Sequence, residues 1–253
     1  MELSILPNMR NKLYDPASKD LFKISRTGVD LFLNCERCFY LRYKKGVSRV
    51  SGPPFNLNIA VDSLLKNEFD EYRSKGEPHP LMSEANIDAI PFQHELLDQW
   101  RFNFKGVQFE DKKRGFLWFG AIDDVWIHNQ SKKLIIADYK ATSKKTEVNL
   151  DADWQIAYKR QMEFYQWLMR SNGFEVDNEG WFVYCNGKVF DNHFNGCLSF
   201  DIKMIPYKGN DTWIEPTLEK LIKCLKSQII PDANENCDYC KYINKINLAT
   251  EQK

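Results

Sequence analysis

The chain has 253 residues, of which 43% are hydrophobic and 14% aromatic. This composition supports a sizeable buried core and excludes an intrinsically disordered chain. Lysine and arginine together number 35, as do aspartate and glutamate, so the formal net charge is zero. Zero net charge argues against a surface that is basic throughout, although it leaves room for a local basic stripe.

The sequence contains no feature typical of a membrane protein or a secreted one. Its first residues are too polar and too broken for a signal peptide, and no apolar run approaches the roughly 18 residues of a membrane span. We therefore expect a cytoplasmic chain with no membrane partner. In that compartment the seven cysteines should be reduced, and they should serve as core residues or metal ligands.

Helical patterns dominate the first part of the chain. A stripe of apolar residues predicts one helix that starts near the capping residue Ser25 and ends at Gly46. A second helix is expected over residues 57–76, followed by a loop and a shorter helix within 91–106. We interpret residues 25–105 as an N-terminal helical part.

After Gly106 the pattern changes to an alternation of apolar and polar residues that is rich in Val, Ile, Phe and Trp. Turn signals at the segments DKKRG and HNQSK divide this stretch into a predicted three-stranded antiparallel meander. A long helix is expected next, over residues 152–172, because Gly173 supplies a stop signal.

Two more strands and a helix are predicted after the long helix. The strands are expected to turn at Asn186 and Gly187, a dipeptide typical of tight hairpins, and the last helix should cover residues 212–228. A crossover through the long helix could join the meander to the next strand. The order of elements predicts an α/β fold with a mixed central sheet flanked by helices.

Two acids and a lysine meet at one end of the meander. If the hairpin is symmetric about its HNQSK turn, Asp123 lies opposite Asp138 and Val125 lies opposite Ile136. Such cross-strand pairs have Cβ atoms about 4.5–5.5 Å apart. Strand alternation then puts Lys140 on the same face as Asp138.

Two carboxylates this close repel each other if both are ionised in a poorly solvated place, and a bound cation is the remedy that keeps both charged. Oxygen ligands favour Mg²⁺ or Mn²⁺, and Lys140 could orient a water or stabilise a phosphate. Alternatively, Asp123 is a turn-proximal acid and Lys140 its salt-bridge partner. A slip of one residue in register would put Asp124 in the place of Asp123.

The long helix carries Gln161 and Tyr165, whose spacing of four puts them on one face. With the preceding GAIDD and ADYKATSK segments, this order of motifs resembles the PD-(D/E)XK nuclease superfamily. It is most similar to the RecB- and AddB-like branch, including CRISPR-associated iron–sulfur exonucleases. The resemblance implies a restriction-endonuclease-like core in a single domain over residues 1–253, with 106–210 as the catalytic core and 211–253 as a C-terminal helix and cysteine-bearing tail.

By this resemblance, Asp123 and Asp138 would bind the metal and Lys140 would position or activate the attacking water. Gln161 and Tyr165 would support the site or contact the nucleic acid.

The branch usually carries a further metal-binding histidine on the helix before the meander. Asp62 stands at the corresponding place here, and aspartate is a competent ligand for a hard cation. Glu68 on the same helix is a second candidate for the third ligand, and an exposed helix acid is the alternative interpretation of either residue.

Four cysteines form two C-x-x-C pairs, Cys35 with Cys38 and Cys237 with Cys240. Four thiolates suit zinc or an iron–sulfur cluster. The resembling nucleases hold a [4Fe–4S] cluster with one N-terminal and three C-terminal cysteines, but Ile246 replaces the last of these here, so Cys38 would serve as the fourth ligand. The alternative is a degenerate site whose thiols only pack. The other three cysteines are expected in the core: Cys185, Cys197 and Cys224.

The function predicted from these features is that of a metal-dependent nuclease that hydrolyses phosphodiester bonds in DNA. By resemblance it would act as an exonuclease on DNA ends in repair, recombination or defence. An inactive nucleic-acid-binding subunit with the same fold is the main alternative.

Overall fold

The computed structural model describes residues 13–188, 193 and 195–251, and the chain divides into two compact units. The first unit draws on the chain up to residue 52, on residues 110–117 and on the chain from residue 212. The second unit comprises residues 53–109 and 118–211. A single domain over residues 1–253 stays a prediction.

The described chain contains both strands and helices, in runs of up to four elements of one kind. In order, they are β1 (Phe22–Ser25), α1 (Arg26–Asn34), α2 (Glu36–Lys45), α3 (Asn56–Lys75), α4 (Pro80–Glu84), β2 (Ala89–Pro91), α5 (Leu97–Arg101), β3 (Val107–Asp111), β4 (Phe116–Gly120), β5 (Asp124–His128), β6 (Leu134–Thr142), α6 (Ile156–Ser171), β7 (Glu179–Gly187), β8 (Phe200–Lys208), α7 (Ile214–Lys226) and α8 (Asp238–Glu251). A short 3₁₀ turn, Asp153–Gln155, leads into α6. None of the described helices is both long enough and apolar enough to cross a bilayer.

The first predicted helix is two helices, so the expectation of one continuous helix was wrong. Its ends are as predicted, because the Ser25 side chain caps α1 and Gly46 closes α2 in the left-handed conformation. The break falls at Cys35, whose backbone is extended and whose Sγ accepts a hydrogen bond from Cys38 N. Cys35 therefore acts as the N-cap of α2.

The predicted meander is also divided. Strands β4 and β5 belong to different sheets, one ordered β1-β4-β3 and the other β2-β5-β6-β7-β8. The chain leaves the strand conformation at residues 121–123, where Ile122 N donates to the Trp100 carbonyl oxygen instead of a strand partner. Sequence patterns also missed β2, and they assigned the α4 segment to a loop.

The five-stranded sheet has the register predicted for its central hairpin. Val125 pairs with Ile136 and Ile127 with Leu134 in the antiparallel β5–β6 ladder. Strand β6 then pairs with β7 in parallel, as expected for strands joined through a crossover helix. Because β7 and β8 are antiparallel, the sheet is mixed and is flanked by helices, in agreement with a restriction-endonuclease-like α/β fold.

The predicted turn at Asn186 and Gly187 was wrong. Strand β7 continues through both residues, and Gly187 pairs with Phe200 of β8. The Asn186 side chain accepts from Lys144 N and donates to the Lys144 carbonyl oxygen, so it joins β7 to the segment after β6. The connection from β7 to β8 spans residues 188–199, and part of it lies outside the described residues.

Strand β6 separates two environments in the second unit. Its odd-numbered side chains, Ile135, Ala137 and Tyr139, join the core that Leu65 and Phe69 of α3 complete. Its even-numbered side chains lie on the opposite face, where alternation puts Ile136, Asp138 and Lys140 together.

Two of the three cysteines that were expected in the core are buried, Cys185 and Cys224. The third, Cys197, is exposed, so the prediction for it was wrong. It lies in the long β7–β8 connection, where the sequence pattern had placed a strand.

Candidate active site and four-cysteine group

Strand β6 brings a carboxylate and an ammonium together in a buried position. Asp138 is fully buried, and its Oδ2 forms an ion pair with Lys140 Nζ. Burial raises the pKa of Asp138 to about 7, against the opposing effect of Lys140, and the neighbouring Asp123 adds to the rise. For Lys140, burial lowers the pKa, but the charges of Asp138 and Asp123 outweigh it and leave the pKa raised.

Helix α6 fixes the relative positions of these groups through one amide. Gln161 Nε2 donates to Asp138 Oδ1 at 2.8 Å and to the Tyr165 hydroxyl at 3.1 Å. The carbonyl oxygen of the same side chain accepts from Lys140 Nζ at 3.4 Å. The structure therefore brings Gln161 and Tyr165 to Asp138 and Lys140, as their helical spacing predicted.

Asp123 lies directly before β5, at the point where the chain enters the sheet. Its Oδ2 accepts from Tyr139 N at 2.9 Å, and it is close enough to Asp138 to raise the pKa of that carboxyl. Its side chain is about one-fifth exposed, whereas Asp138 has no exposed surface. Asp123 thus forms the solvent-facing side of the pair.

Asp62 of α3 lies near Asp123, and Lys66 forms an ion pair with each of these two acids. Lys66 Nζ lies 2.7 Å from Asp62 Oδ2 and 3.5 Å from Asp123 Oδ1. Burial raises the pKa of Asp62, and the charge of Asp123 raises it further. Glu68 is directed elsewhere, because it pairs with His79 at 3.6 Å and is largely exposed.

The three carboxylates fit a divalent cation in their chemistry. Asp138 Oδ2 is buried and accepts no hydrogen bond with acceptable geometry among the described residues, although Lys140 lies beside it. Hard oxygen ligands of this kind favour Mg²⁺ or Mn²⁺. Among the described residues, however, only the four paired cysteines bring three or more ligand atoms within 4.8 Å of one another. The three carboxylates therefore do not all lie within that distance of one another, and Lys66 and Lys140 place positive charge beside them.

A second buried acid, next in sequence to Asp123, is part of a different network. Asp124 accepts from Val125 N, the Trp126 indole and the Tyr139 hydroxyl at 2.9–3.1 Å. The guanidinium groups of Arg73 and Arg101 contact Oδ1, the oxygen that also accepts from Val125 N.

This arginine–aspartate network also supports the candidate site. Arg101 Nε donates to the Asp123 carbonyl oxygen at 3.1 Å, so the network holds the backbone on which Asp123 stands. Asp70 pairs with both arginines and completes the network.

Sequence patterns missed Lys66, Tyr158 and the network around Asp124. Lys66 follows Asp62 by four residues and Tyr158 precedes Gln161 by three, so helical spacing could have indicated both. Tyr158 lies with its ring 4.7 Å from Lys140 Nζ. No comparable spacing links Arg73 and Arg101 to Asp124, because these residues come from separate elements.

The first unit brings together the four cysteines of the two C-x-x-C pairs. All four are buried, and their sulfur atoms lie within 4.8 Å of one another. The Sγ–Sγ distances are 3.7 Å for Cys35–Cys240, 3.6 Å for Cys38–Cys237 and 3.8 Å for Cys38–Cys240. The thiols are free of disulfides, and the group could hold a metal ion or cluster.

Local hydrogen bonds favour the thiolate form of Cys35, whereas burial raises the pKa of Cys38 and of Cys240. Burial acts to raise the pKa of Cys35, but hydrogen bonds from the backbone of Cys38 and Asn234 and from neighbouring thiols lower it to about 7. Arg49 Nη2 donates to Cys237 Sγ at 3.1 Å, and its guanidinium lies 4.8 Å from the Tyr239 ring centre. A cation therefore sits beside the thiols.

Three comparisons with known proteins bear on this arrangement. The family model described as "PD-(D/E)XK nuclease superfamily" matches residues 56–244. No curated protein sequence matches the chain. Among solved structures, the chain is similar to the "Crystal structure of SSO0001", with 17% sequence identity, coverage of 90% of this chain and 86% of that chain, and a TM-score of 0.42. Because the family match covers most of the chain, the protein belongs to the PD-(D/E)XK nuclease superfamily.

Proposed function

We propose that this chain is a metal-dependent nuclease that hydrolyses phosphodiester bonds in DNA. Membership in the superfamily suggests metal-dependent nuclease activity. The observation that carries the proposal is the buried Asp138 carboxylate, which has an oxygen without a hydrogen bond next to Lys140. A strongly shifted acid beside a lysine is typical of functional sites.

In this proposal, Asp62, Asp123 and Asp138 are the metal ligands. A bound Mg²⁺ or Mn²⁺ would polarise the phosphate and lower the pKa of its water. Lys140 orients the attacking water or stabilises phosphate charge, since its ammonium stays protonated with a raised pKa. Gln161 fixes the relative positions of Lys140 and Asp138, because its amide oxygen accepts from Lys140 and its amide nitrogen donates to Asp138. The Tyr165 hydroxyl accepts from the same nitrogen.

We further propose that the substrate is a DNA end and that the chain belongs to the RecB- and AddB-like branch. The order of the Asp123, Asp138, Lys140, Gln161 and Tyr165 motifs supports the branch assignment. An exonuclease of this kind would serve DNA repair, recombination or defence.

The test is cleavage of end-labelled single-stranded, duplex and circular DNA in Mg²⁺, in Mn²⁺ and in EDTA. Lys140→Ala is the test variant, and Lys133→Ala, an exposed lysine at the far end of the same hairpin, is the control. We expect metal-dependent cleavage of linear DNA that Lys140→Ala abolishes and Lys133→Ala retains. Unchanged activity in Lys140→Ala would refute the assignment.

The position of Lys66 favours a second candidate, a nucleic-acid-binding subunit without catalysis. Its ammonium bridges Asp62 and Asp123, where it could replace a metal ion as the counterion. This candidate predicts salt-sensitive DNA binding with no cleavage in any divalent metal. Metal-dependent cleavage by the wild-type chain would exclude it.

A further inference from the structure

The four cysteines of the first unit have the spacing of ligands around one ion. A tetrahedral zinc ion with Zn–S bonds of about 2.3 Å requires neighbouring sulfur atoms about 3.8 Å apart. The three short Sγ–Sγ distances, 3.6, 3.7 and 3.8 Å, agree with that value. In a [4Fe–4S] cluster each thiolate binds a different iron at the corner of a cube, so the sulfur atoms lie further apart than around one ion.

The positions of the cysteines along the chain also favour a single ion. Two of the four cysteines come from the N-terminal part of the chain and two from its C-terminal part. Each pair is the C-x-x-C unit of structural zinc sites. The break between α1 and α2 at Cys35 lets the first pair present both sulfur atoms to the second pair.

The surroundings suit a closed structural site. All four cysteines are buried, and four thiolates around Zn²⁺ carry a net double negative charge. Arg49 offsets part of that charge through its contact with Cys237 Sγ. The Tyr239 ring supports the guanidinium, and the Tyr239 hydroxyl donates to the Val50 carbonyl oxygen at 2.9 Å.

We propose that Cys35, Cys38, Cys237 and Cys240 bind a single zinc ion instead of an iron–sulfur cluster. The ion ties the segment around α1 and α2 to the start of α8 within the first unit. This proposal is independent of the nuclease activity, because the catalytic candidates all lie in the second unit.

The test measures metal and sulfide content after anaerobic purification from cells supplied with both zinc and iron, before and after reconstitution with iron and sulfide. We expect about one zinc per chain, no acid-labile sulfide, and a protein that stays colourless. Replacement of zinc by Co²⁺ should give the visible absorption of a tetrahedral thiolate site. Cys237→Ser should lose it, and Cys224→Ala, a buried cysteine outside the group, should keep it.

About four irons and four sulfides per chain, either as purified or after reconstitution, would overturn the proposal. A chain that binds neither metal, or a Cys237→Ser variant that retains the Co²⁺ spectrum, would overturn it as well.

A second inference concerns an aromatic surface in the second unit, next to the candidate active site. Tyr158 lies against Lys140, with its ring 5.3 Å from the Trp154 ring in an edge-on arrangement. Trp154 is 53% exposed, and Lys144 Nζ lies 5.0 Å from its ring centre. The side chains of Lys140, Tyr158, Trp154 and Lys144 therefore contact one another in that order, outward from Asp138.

This surface is rigidly supported, although it is exposed. Gln155 is fully buried, donates to the Asn149 carbonyl oxygen and accepts from Ala152 N, so it fixes the turn that carries Trp154. Asn186 binds both backbone polar groups of Lys144. An exposed indole on a fixed turn, beside an ammonium, matches an unpaired base and its phosphate.

We infer that Trp154 stacks on an unpaired nucleobase and that Lys144 binds the adjacent phosphate, so that the site takes single-stranded nucleic acid. This inference rests on the proposed function, since it defines the substrate of the same site. Base stacking on an aromatic side chain tolerates any sequence, so no preference among bases is expected.

The test is binding of a short thymidine oligonucleotide, measured in the Asp138→Asn background so that cleavage does not interfere. Trp154→Ala should weaken binding about 5- to 100-fold, and Lys144→Ala should weaken it with a reduced salt dependence. Phe104→Ala, which removes an exposed aromatic elsewhere in the second unit, is the control. Binding of a blunt duplex should change little in all three variants.

Equal affinities of Trp154→Ala and Phe104→Ala for the single strand would overturn the inference. If the wild-type chain binds the strand through Trp154 but cleaves nothing, the surface stands and the nuclease proposal fails.

Discussion

Asp124 and Asp138 are both fully buried aspartates of the same hairpin, yet their surroundings differ. Asp124 accepts three neutral hydrogen bonds and contacts two arginines. Asp138 accepts one amide hydrogen bond at Oδ1 and forms an ion pair with Lys140 at Oδ2, which accepts no well-aligned hydrogen bond among the described residues. The first carboxylate is satisfied by the protein itself, whereas the second has capacity left for a ligand.

The two environments lie on opposite faces of β6. Tyr139 directs its hydroxyl to Asp124, and the even-numbered Asp138 and Lys140 face the other side. Burial of an acid alone therefore does not indicate function, because the completeness of its hydrogen bonding separates a structural role from a chemical one.

The largest expected effect is on catalysis, from Asp138→Asn. Loss of the charged ligand should lower the rate of DNA cleavage at least about 10³-fold, on the scale of losing one strong electrostatic contact in an active site. The variant should still fold, because burial already disfavours the charged form of the Asp138 carboxyl and raises its pKa. Cleavage kinetics and thermal unfolding check both expectations, and a variant that still cleaves at the wild-type rate contradicts them.

The matched substitution on the other face, Asp124→Asn, should act on stability. Removal of one partner from a buried ion pair leaves Arg73 and Arg101 without their shared carboxylate and should cost about 3–5 kcal/mol. Urea denaturation would measure this loss in the free energy of unfolding. A loss below about 1 kcal/mol would show that Asp124 does not have a mainly structural role.

A smaller catalytic effect is expected from Gln161→Leu, which keeps the size of the side chain and removes its amide. Asp138 and Lys140 then lose their common orienting group, and misplacement of a reacting group costs up to about 10²-fold in rate. Gln108→Leu on β3, away from Asp138 and Lys140, is the control. Single-turnover cleavage rates distinguish the variants. Equal rates for Gln161→Leu and Gln108→Leu would show that Gln161 does not position the reacting groups.

The effect that is smallest when expressed per pH unit is on the free energy of unfolding. The folded pKa of Asp138 is about 7 and its ordinary value is 3.8, so the folded chain binds the extra proton between these values. The free energy of unfolding should therefore fall as pH rises from about 4 to about 7, by at most about 1.4 kcal/mol per unit from this group. Urea denaturation of metal-free protein measures it, and Asp138→Asn should lack this component of the slope. Equal slopes for the two proteins would contradict the prediction.

Local signals predicted the candidate site better than they predicted the connections around it. The hairpin arithmetic gave the Val125–Ile136 register because two-residue alternation fixes which side chains share a face. The spacing of Gln161 and Tyr165 predicted their proximity, because residues four apart lie on one face of an α-helix.

The failures arose where tertiary contacts override local preference. Asn186 and Gly187 continue β7 because the Asn186 side chain binds the Lys144 backbone, and a turn signal does not report such a distant partner. Cys35 divides a helical stripe because its sulfur caps the next helix. The arginines around Asp124 come from distant segments, so no sequence spacing could have indicated them.

A Mn²⁺ titration of the wild-type chain and the Asp138→Asn and Asp124→Asn variants at a pH above 7, followed by electron paramagnetic resonance, tests whether Asp138 binds a metal ion. Zinc should be retained at the cysteines throughout, so that Mn²⁺ reports on the carboxylates. We expect wild type and folded Asp124→Asn to bind Mn²⁺ with similar affinity, and we expect Asp138→Asn to bind it much more weakly. Equal binding by all three proteins, or no binding by the wild type, would contradict these expectations.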